Sequence, residues 1–214
     1  MSFPTTYNGW IAYVRNWIGA DEYSDAQVGQ FLDLAQMRMN RELSSYHMEQ
    51  RFPITILEAM VGNPISLSLN IPSFNRIRLV SVRGVGPLDV SAINEMQEFI
   101  EEDPFPGGDP KFYAIDADVL HIYPWVGKDS IVDVFYYEKI IPLSDSVSTN
   151  TFTVHHPDTL LYAACMEAAP YMVEDERIQV WEKKYVESVA VANDLPNRIK
   201  MGSTPLKRQI TGLS

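Results

Sequence analysis

Hydrophobic positions in the first fifty residues recur at helical spacing. Tyr7, Trp10, Ile11, Val14 and Trp17 or Ile18 follow one another at intervals of three and four, Thr5 or Thr6 stands where an N-cap is needed, and Gly19 closes the pattern. Ser24 and Gln27 have the capping-box spacing. Beyond them Val28, Phe31, Leu32, Ala35, Met39 and Leu43 trace one face of a long helix, while Asp33, Arg38, Arg41 and Glu42 lie elsewhere. Burial of each large apolar member of that face contributes about 1.5–3 kcal/mol, so the stripe demands a partner.

After "RFP" at residues 51–53 the period changes to two. Ile65, Leu67, Leu69 and Ile71 alternate with polar residues, and "RIRLVSVR" continues in strand-like composition up to the turn "GVGP". A short helix is predicted over "VSAINEMQEFIEED". The segments "KFYAID", "VLHIYPW" and "SIVDVFYYEKI" then read as strands, the first two joined at Asp116, Ala117 and Asp118. "PLSDSVSTN" reads as a polar linker.

Helical period returns at Asp158. The stretch to about Ala169 is apolar nearly all round, with Glu167 its only charge after the cap and Pro170 setting its exit, as in a central helix. Glu174, Asp175 and Glu176 open a last helix whose buried stripe is Ile178, Trp181, Tyr185, Val189 and Ala192, ending at Pro196. Helices and strands are segregated along the chain. This predicts an α+β fold: a helical bundle from residues 1–52 and 152–195, a β-rich antiparallel insertion at 53–151, and a basic C-terminal extension at 196–214.

Composition narrows the function. In 214 residues, 46% are hydrophobic and 21% charged, as in ordinary globular chains. No apolar run approaches the ~18 residues of a membrane span, and no basic segment followed by an apolar one opens the chain, so a soluble protein is expected. One cysteine excludes an internal disulfide and fits a reducing compartment. The net charge of −11 repels phosphate and disfavours ordinary nucleic-acid binding. Arg198, Lys200, Lys207 and Arg208 are the only charges of the last nineteen residues, which leaves −15 on the first 195. The tail is either a solubilising end or a tether to an acidic partner.

Candidate chemistry concentrates in "HHPDTLLYAACMEAAPYM". His155 and His156 are adjacent and point apart in an extended segment, and Cys165 cannot complete a zinc set, so a metal site is not expected. Cys165, between Ala164 and Met166, lacks the electropositive surroundings of a nucleophile and reads as a small core residue. Glu167 is either a buried partner of an arginine on the second helix or a catalytic acid. "EFIEEDPFPGGDP" lacks the calcium-loop pattern, "RGVGPL" and "PGGDPK" match no phosphate cradle, and no serine sits in a G-x-S-x-G elbow. No catalytic residue, metal or cofactor emerges.

The order of segments resembles the head-to-tail adaptors of short-tailed bacteriophages, the tail tubular protein A-like group. The matching pieces are "DLAQMRMNRELSSYHMEQ", "GDPKFYAIDADVLHIYPW", "VFYYEKIIPLSD" and "HPDTLLYAACMEAAPYMVEDERIQVWEKKY", spread over roughly residues 5–190. The resemblance implies a structural virion protein, assembled in the host cytoplasm and located at the head-tail junction. It implies a homo-oligomeric ring, normally of twelve copies, that docks beneath the portal protein, extends the DNA channel used in genome ejection and carries the tail nozzle protein. An acidic body suits a conduit through which double-stranded DNA passes without sequence-specific binding. Within that expectation, Arg198, Lys200, Leu206, Lys207, Arg208, Ile210 and Leu213 of the tail are candidates for portal binding. The rival readings are a carboxylate-dependent hydrolase of the wall-degrading glycosidase type and a head-completion stopper or nozzle component.

Overall fold

The computed structural model describes residues 3–19, 23–104, 106–172 and 176–202, the side chains of 195–202 excepted. In chain order the elements are α1 (Tyr7–Ile18), α2 (Asp25–Glu42), β1 (Glu49–Thr55), β2 (Ile65–Ser66), α3 (Leu67–Asn70), β3 (Phe74–Val82), β4 (Gly86–Pro87) and β5 (Asp89–Val90). They continue with α4 (Ile93–Glu102), β6 (Phe112–Asp116), β7 (Val119–Tyr123), β8 (Ile131–Glu138), α5 (Thr151–His155), α6 (Pro157–Ala168) and α7 (Arg177–Gly202). The fold class is α+β. Two compact units share the chain: residues 1–47 with 141–214, and residues 48–140. Among the described residues, no helix is long and apolar enough to cross a membrane.

The first unit is helical, and its first two helices begin where the sequence places caps. Thr6 accepts from the Gly9 N–H at the start of α1, and Gly19 closes that helix at φ +68°, its N–H donating to the Arg15 carbonyl. Ser24 and Gln27 form the capping box of α2. All six stripe residues of α2, from Val28 to Leu43, are buried, and α2 packs on α6. The latter also meets α1, α5 and α7, which makes it the bundle's centre. Its run of small residues, Ala163, Ala164, Cys165 and Ala168, is wholly buried and permits close helix approach.

Polar contacts tie the last helix to the first two. Arg177 donates to the carbonyls of Ile18 (2.9 Å) and Trp17 (3.3 Å), satisfying acceptors that the end of α1 leaves open. Asn193 does the same for α2: its Oδ1 accepts from the Ser44 N–H at 2.6 Å and its Nδ2 donates to the Glu42 carbonyl at 3.0 Å. Between them the Tyr185 hydroxyl donates to Glu42 Oε2 (2.7 Å), and burial together with that carboxylate holds the phenol protonated. Gln36 of α2 is fully buried. Gln36 accepts from the Leu143 N–H (2.8 Å) and from Asn150 Nδ2 (2.9 Å), pinning the returning chain to α2.

The second unit holds two four-stranded sheets, in the orders β1-β8-β3-β4 and β2-β7-β6-β5. All pairings are antiparallel except the two-residue parallel pair of β5 and β6. Alternate residues of both sheets form one core, with Val132, Val134 and Tyr136 of β8 and Leu120 and Ile122 of β7 among its members. Helix α4 buries Met96 and packs against β6 and β7.

Several expected elements differ. The alternation from Ile65 to Ile71 is not a strand: after two residues of β2 the chain turns into α3. The Ile71 N–H donates to the Leu67 carbonyl and Asn70 Nδ2 to the Ser66 carbonyl, and Leu69 is 85% exposed. Local bonds from serine and asparagine outcompete the ladder there. Strand β1 covers "RFP", because Pro53 is tolerated on an edge strand. Within the presumed linker, Asn150 caps α5. Helix α6 begins at Pro157, preceded by His156 without a side-chain cap, so Asp158 lies in the first turn and is not itself the cap. Helix α7 continues through Pro196 to Gly202, since a proline removes one N–H while the ladder on either side persists. Glu174 and Asp175 lie outside the described residues.

Candidate functional site

The histidine-rich stretch opens onto a cleft of about 500 Å³ in the helical unit, bordered by His47, His155, His156, Asp158, Lys184 and Glu187. His47 and His155 stack face to face at 3.7 Å, an arrangement of ring faces and not of converging nitrogens. Among the described residues, no group of three or more His, Cys, Asp or Glu is placed to hold a metal ion. His156 Nε2 lies 2.7 Å from Ser45 Oγ, the spacing of a nucleophile and its base. Ser45, however, has no exposed surface, so a substrate carbonyl cannot reach its oxygen. That oxygen also accepts from the His47 N–H at 3.3 Å. Burial and the neighbouring imidazole of His47 lower the His156 pKa to about 4, so its ring is neutral at pH 7. His47 is shifted the same way, first by burial and then by His155.

Cys165 is fully buried within α6, and burial pushes its thiol up to about 12, with Arg177 opposing weakly. It is a packing residue. Glu167 resolves the choice left open by the sequence: Arg38 of α2 places its Nε 2.7 Å from Glu167 Oε1, and the Arg38 guanidinium also sits 6.0 Å from the Tyr185 ring centroid. The contact is ionic in character, since the N–H is not aligned along it. The "HHPDTLLYAACMEAAPYM" stretch is therefore the packed centre of the bundle, with one ion pair to α2.

A second constellation escaped notice in the sequence. On the side of sheet β1-β8-β3-β4 away from the core, Asp133, Phe135 and Tyr137 of β8 alternate with the core positions Val132, Val134 and Tyr136. Arg51 lies opposite Phe135 with its guanidinium 5.6 Å from the ring centroid, and Arg76 lies opposite Tyr137 at 5.4 Å. Arg51 (2.8 Å) and Arg83 (3.0 Å) both hold Asp133 Oδ2, and Arg78 pairs with Glu49. The two guanidiniums beside Asp133, Arg83 foremost, hold its carboxyl below the usual range. The alternation "DVFYY" and the spacing of Arg76 and Arg78 were the available signals; the contributions of Arg51 and Arg83 depend on strand register, which sequence spacing does not provide.

Of the tail residues singled out for portal binding, Arg198 and Lys200 fall in the final turns of α7, with side chains outside the described set. Leu206, Lys207, Arg208, Ile210 and Leu213 lie outside the described residues altogether.

Comparison with curated proteins finds no match. The profile of the SU10 adaptor proteins, by contrast, matches residues 5–208, from the cap of α1 into the basic tail. Nearly the whole chain is covered, in agreement with the resemblance drawn from segment order, and the chain belongs to the SU10 adaptor protein family of phage head-tail adaptors, structural components of the virion.

Proposed function

We propose that this adaptor acts as one subunit of a closed ring, of twelve copies as the resemblance to tail tubular protein A-like adaptors implies, seated beneath the portal at the head-tail junction. The ring continues the DNA channel and carries the tail nozzle. The observation supporting this reading is the family match across residues 5–208, which includes the basic stretch as well as the folded body. A net charge of −15 over the first 195 residues lets DNA pass without the counterion release that would retain it. The basic segment, with Leu206, Ile210 and Leu213 between its charges, reaches onto the portal.

Mass measurement of the purified protein, alone and with portal, tests the ring: a ring-sized species is expected in at least one condition, and its absence from both refutes the proposal. Removal of residues 197–214 leaves Arg177, Tyr185 and Asn193 in place, so the circular dichroism and melting of the body should persist while portal docking is lost. Unchanged docking would refute the assignment of the tail.

A further inference from the structure

The two-sheet unit carries surfaces of opposite character on opposite sides. On sheet β2-β7-β6-β5, Phe99 of α4 stacks on Phe112 (5.5 Å) and Tyr123 (5.8 Å), a cross-strand pair. The adjacent pair, Tyr113 and Ile122, points into the core, so α4 covers the side facing away from it. The arginine and aromatic face of the other sheet points away from the same core in the opposite direction. A single copy therefore cannot bring the two together within this unit.

Each surface is incomplete in its own charge. Glu98, Glu101 and Glu102 are exposed on α4 at i, i+3 and i+4, and the helix contains no lysine or arginine. Like charges at that spacing repel, and they stand near the helix's C-terminal end, where the backbone dipole disfavours anions. On the other side, all four arginines of residues 48–140 gather on one sheet face. Two of them, with side chains 52% and 49% exposed, share the single carboxylate of Asp133. Arginine, tyrosine and phenylalanine without lysine is the composition of a protein-protein interface core. Duplex DNA fits less well, because Asp133 and Glu49 sit among the arginines on that face and already neutralise part of their charge.

We infer that the Arg51, Arg83 and Phe135 face of one copy receives the acidic helix α4 of a neighbouring copy, making the head-to-tail contact on which subunits repeat. Two different patches on opposite sides of one unit produce a heterologous interface, the kind that closes into a ring. The inference rests on the ring reading above and supplies the surfaces for it.

Charge reversal in the full-length chain tests it. Glu98→Lys/Glu101→Lys/Glu102→Lys alters only exposed positions. Arg51→Glu leaves Asp133 bound by Arg83 through two hydrogen bonds, at 3.0 and 3.2 Å, so both variants should keep the wild-type circular dichroism spectrum. Each alone should raise the concentration needed for ring-sized species at least ~10-fold, and an equimolar mixture of the two should assemble again, because each then meets its opposite on both sides. A second measurement does not depend on charge: Arg51→Cys/Glu101→Cys in one chain should give a ladder of oxidised multimers, with neither single variant doing so. Rings that form equally well in both reversed variants, without a ladder, would overturn this contact and leave the ring standing. A chain that is monomeric with and without portal would overturn both. Binding of random-sequence duplex DNA that Arg51→Glu abolishes, with assembly unaltered, would assign the face to nucleic acid and overturn the contact.

Discussion

Gln36→Leu isolates the contact that fixes where the chain re-enters the helical unit. Gln36 is fully buried and its Oε1 is shared by the Leu143 N–H and Asn150 Nδ2, while its Nε2 donates to the Leu32 carbonyl at 3.2 Å. Leucine has nearly the same volume but offers no acceptor. Asn150 keeps a second acceptor, the Ile141 carbonyl at 2.9 Å, and its Oδ1 still caps α5. The Leu143 amide keeps none, and Leu143 is only 2% exposed. An unpaired buried N–H costs about 1–3 kcal/mol, and the apolar gain of leucine returns roughly a third to a half of that. The net expectation is a loss of about 1–2 kcal/mol, read from the denaturant midpoint at unchanged slope. Hydrogen exchange gives the local readout: the Leu143 amide should lose more protection than amides in the middle of α6, since its acceptor is gone. With Asn150→Ala, the double-mutant cycle should show a coupling of about 0.5–1.5 kcal/mol. A Gln36→Leu protein of wild-type stability, with the Leu143 amide still protected, would refute this account of the chain's return.

Three further outcomes follow from particular groups. His156 is depressed to about 4 by burial and then by His47, so it stays neutral in the folded protein while the unfolded chain protonates near 6.5; stability should fall as pH drops from about 6.5 to about 4 and level off below. The full shift corresponds to about 3 kcal/mol, which water in the adjoining cleft reduces to about 1–2; His156→Asn should flatten that part of the pH profile, and an unchanged slope would contradict it. Asn193→Ala removes the side chain that bonds to both the Ser44 N–H and the Glu42 carbonyl at the end of α2, and should cost about 1–2 kcal/mol in chemical denaturation, with wild-type stability as the contrary result. Ala117 occupies the β6–β7 turn at φ +54°, where a Cβ is disfavoured by about 1 kcal/mol, so Ala117→Gly should leave stability equal or raise it by up to about 1 kcal/mol; a clear loss would show that the turn relaxes differently.

What could be read in the chain, and what could not, divides along the range of the interaction. The capping box at Ser24 and Gln27, the glycine stop at Gly19 and the buried stripe of α2 depend on neighbours within four residues, and all are found as expected. The Arg38 and Glu167 pair was foreseeable for a different reason: a lone carboxylate in an apolar helix needs a cation, and α2 carried the nearest candidates. The alternation at Ile65–Ile71 misled because a period of two reports which residues are apolar without reporting whether a serine or asparagine will bond locally. The sheet face was invisible for a deeper reason. Arg51 and Arg83 meet at Asp133 only through the register that sets Pro53 and Ser81 on either side of it, and a slip of one residue would turn every one of these side chains to the core. For an adaptor this matters more than the cleft does. The cleft's histidines act within their own unit, stacked or bonded to Ser45, whereas the arginine face and the α4 carboxylates, on opposite sides of one sandwich, are surfaces whose charges call for another molecule. A protein that works by joining subunits carries its function in such surfaces, which strand register creates and local sequence pattern does not announce.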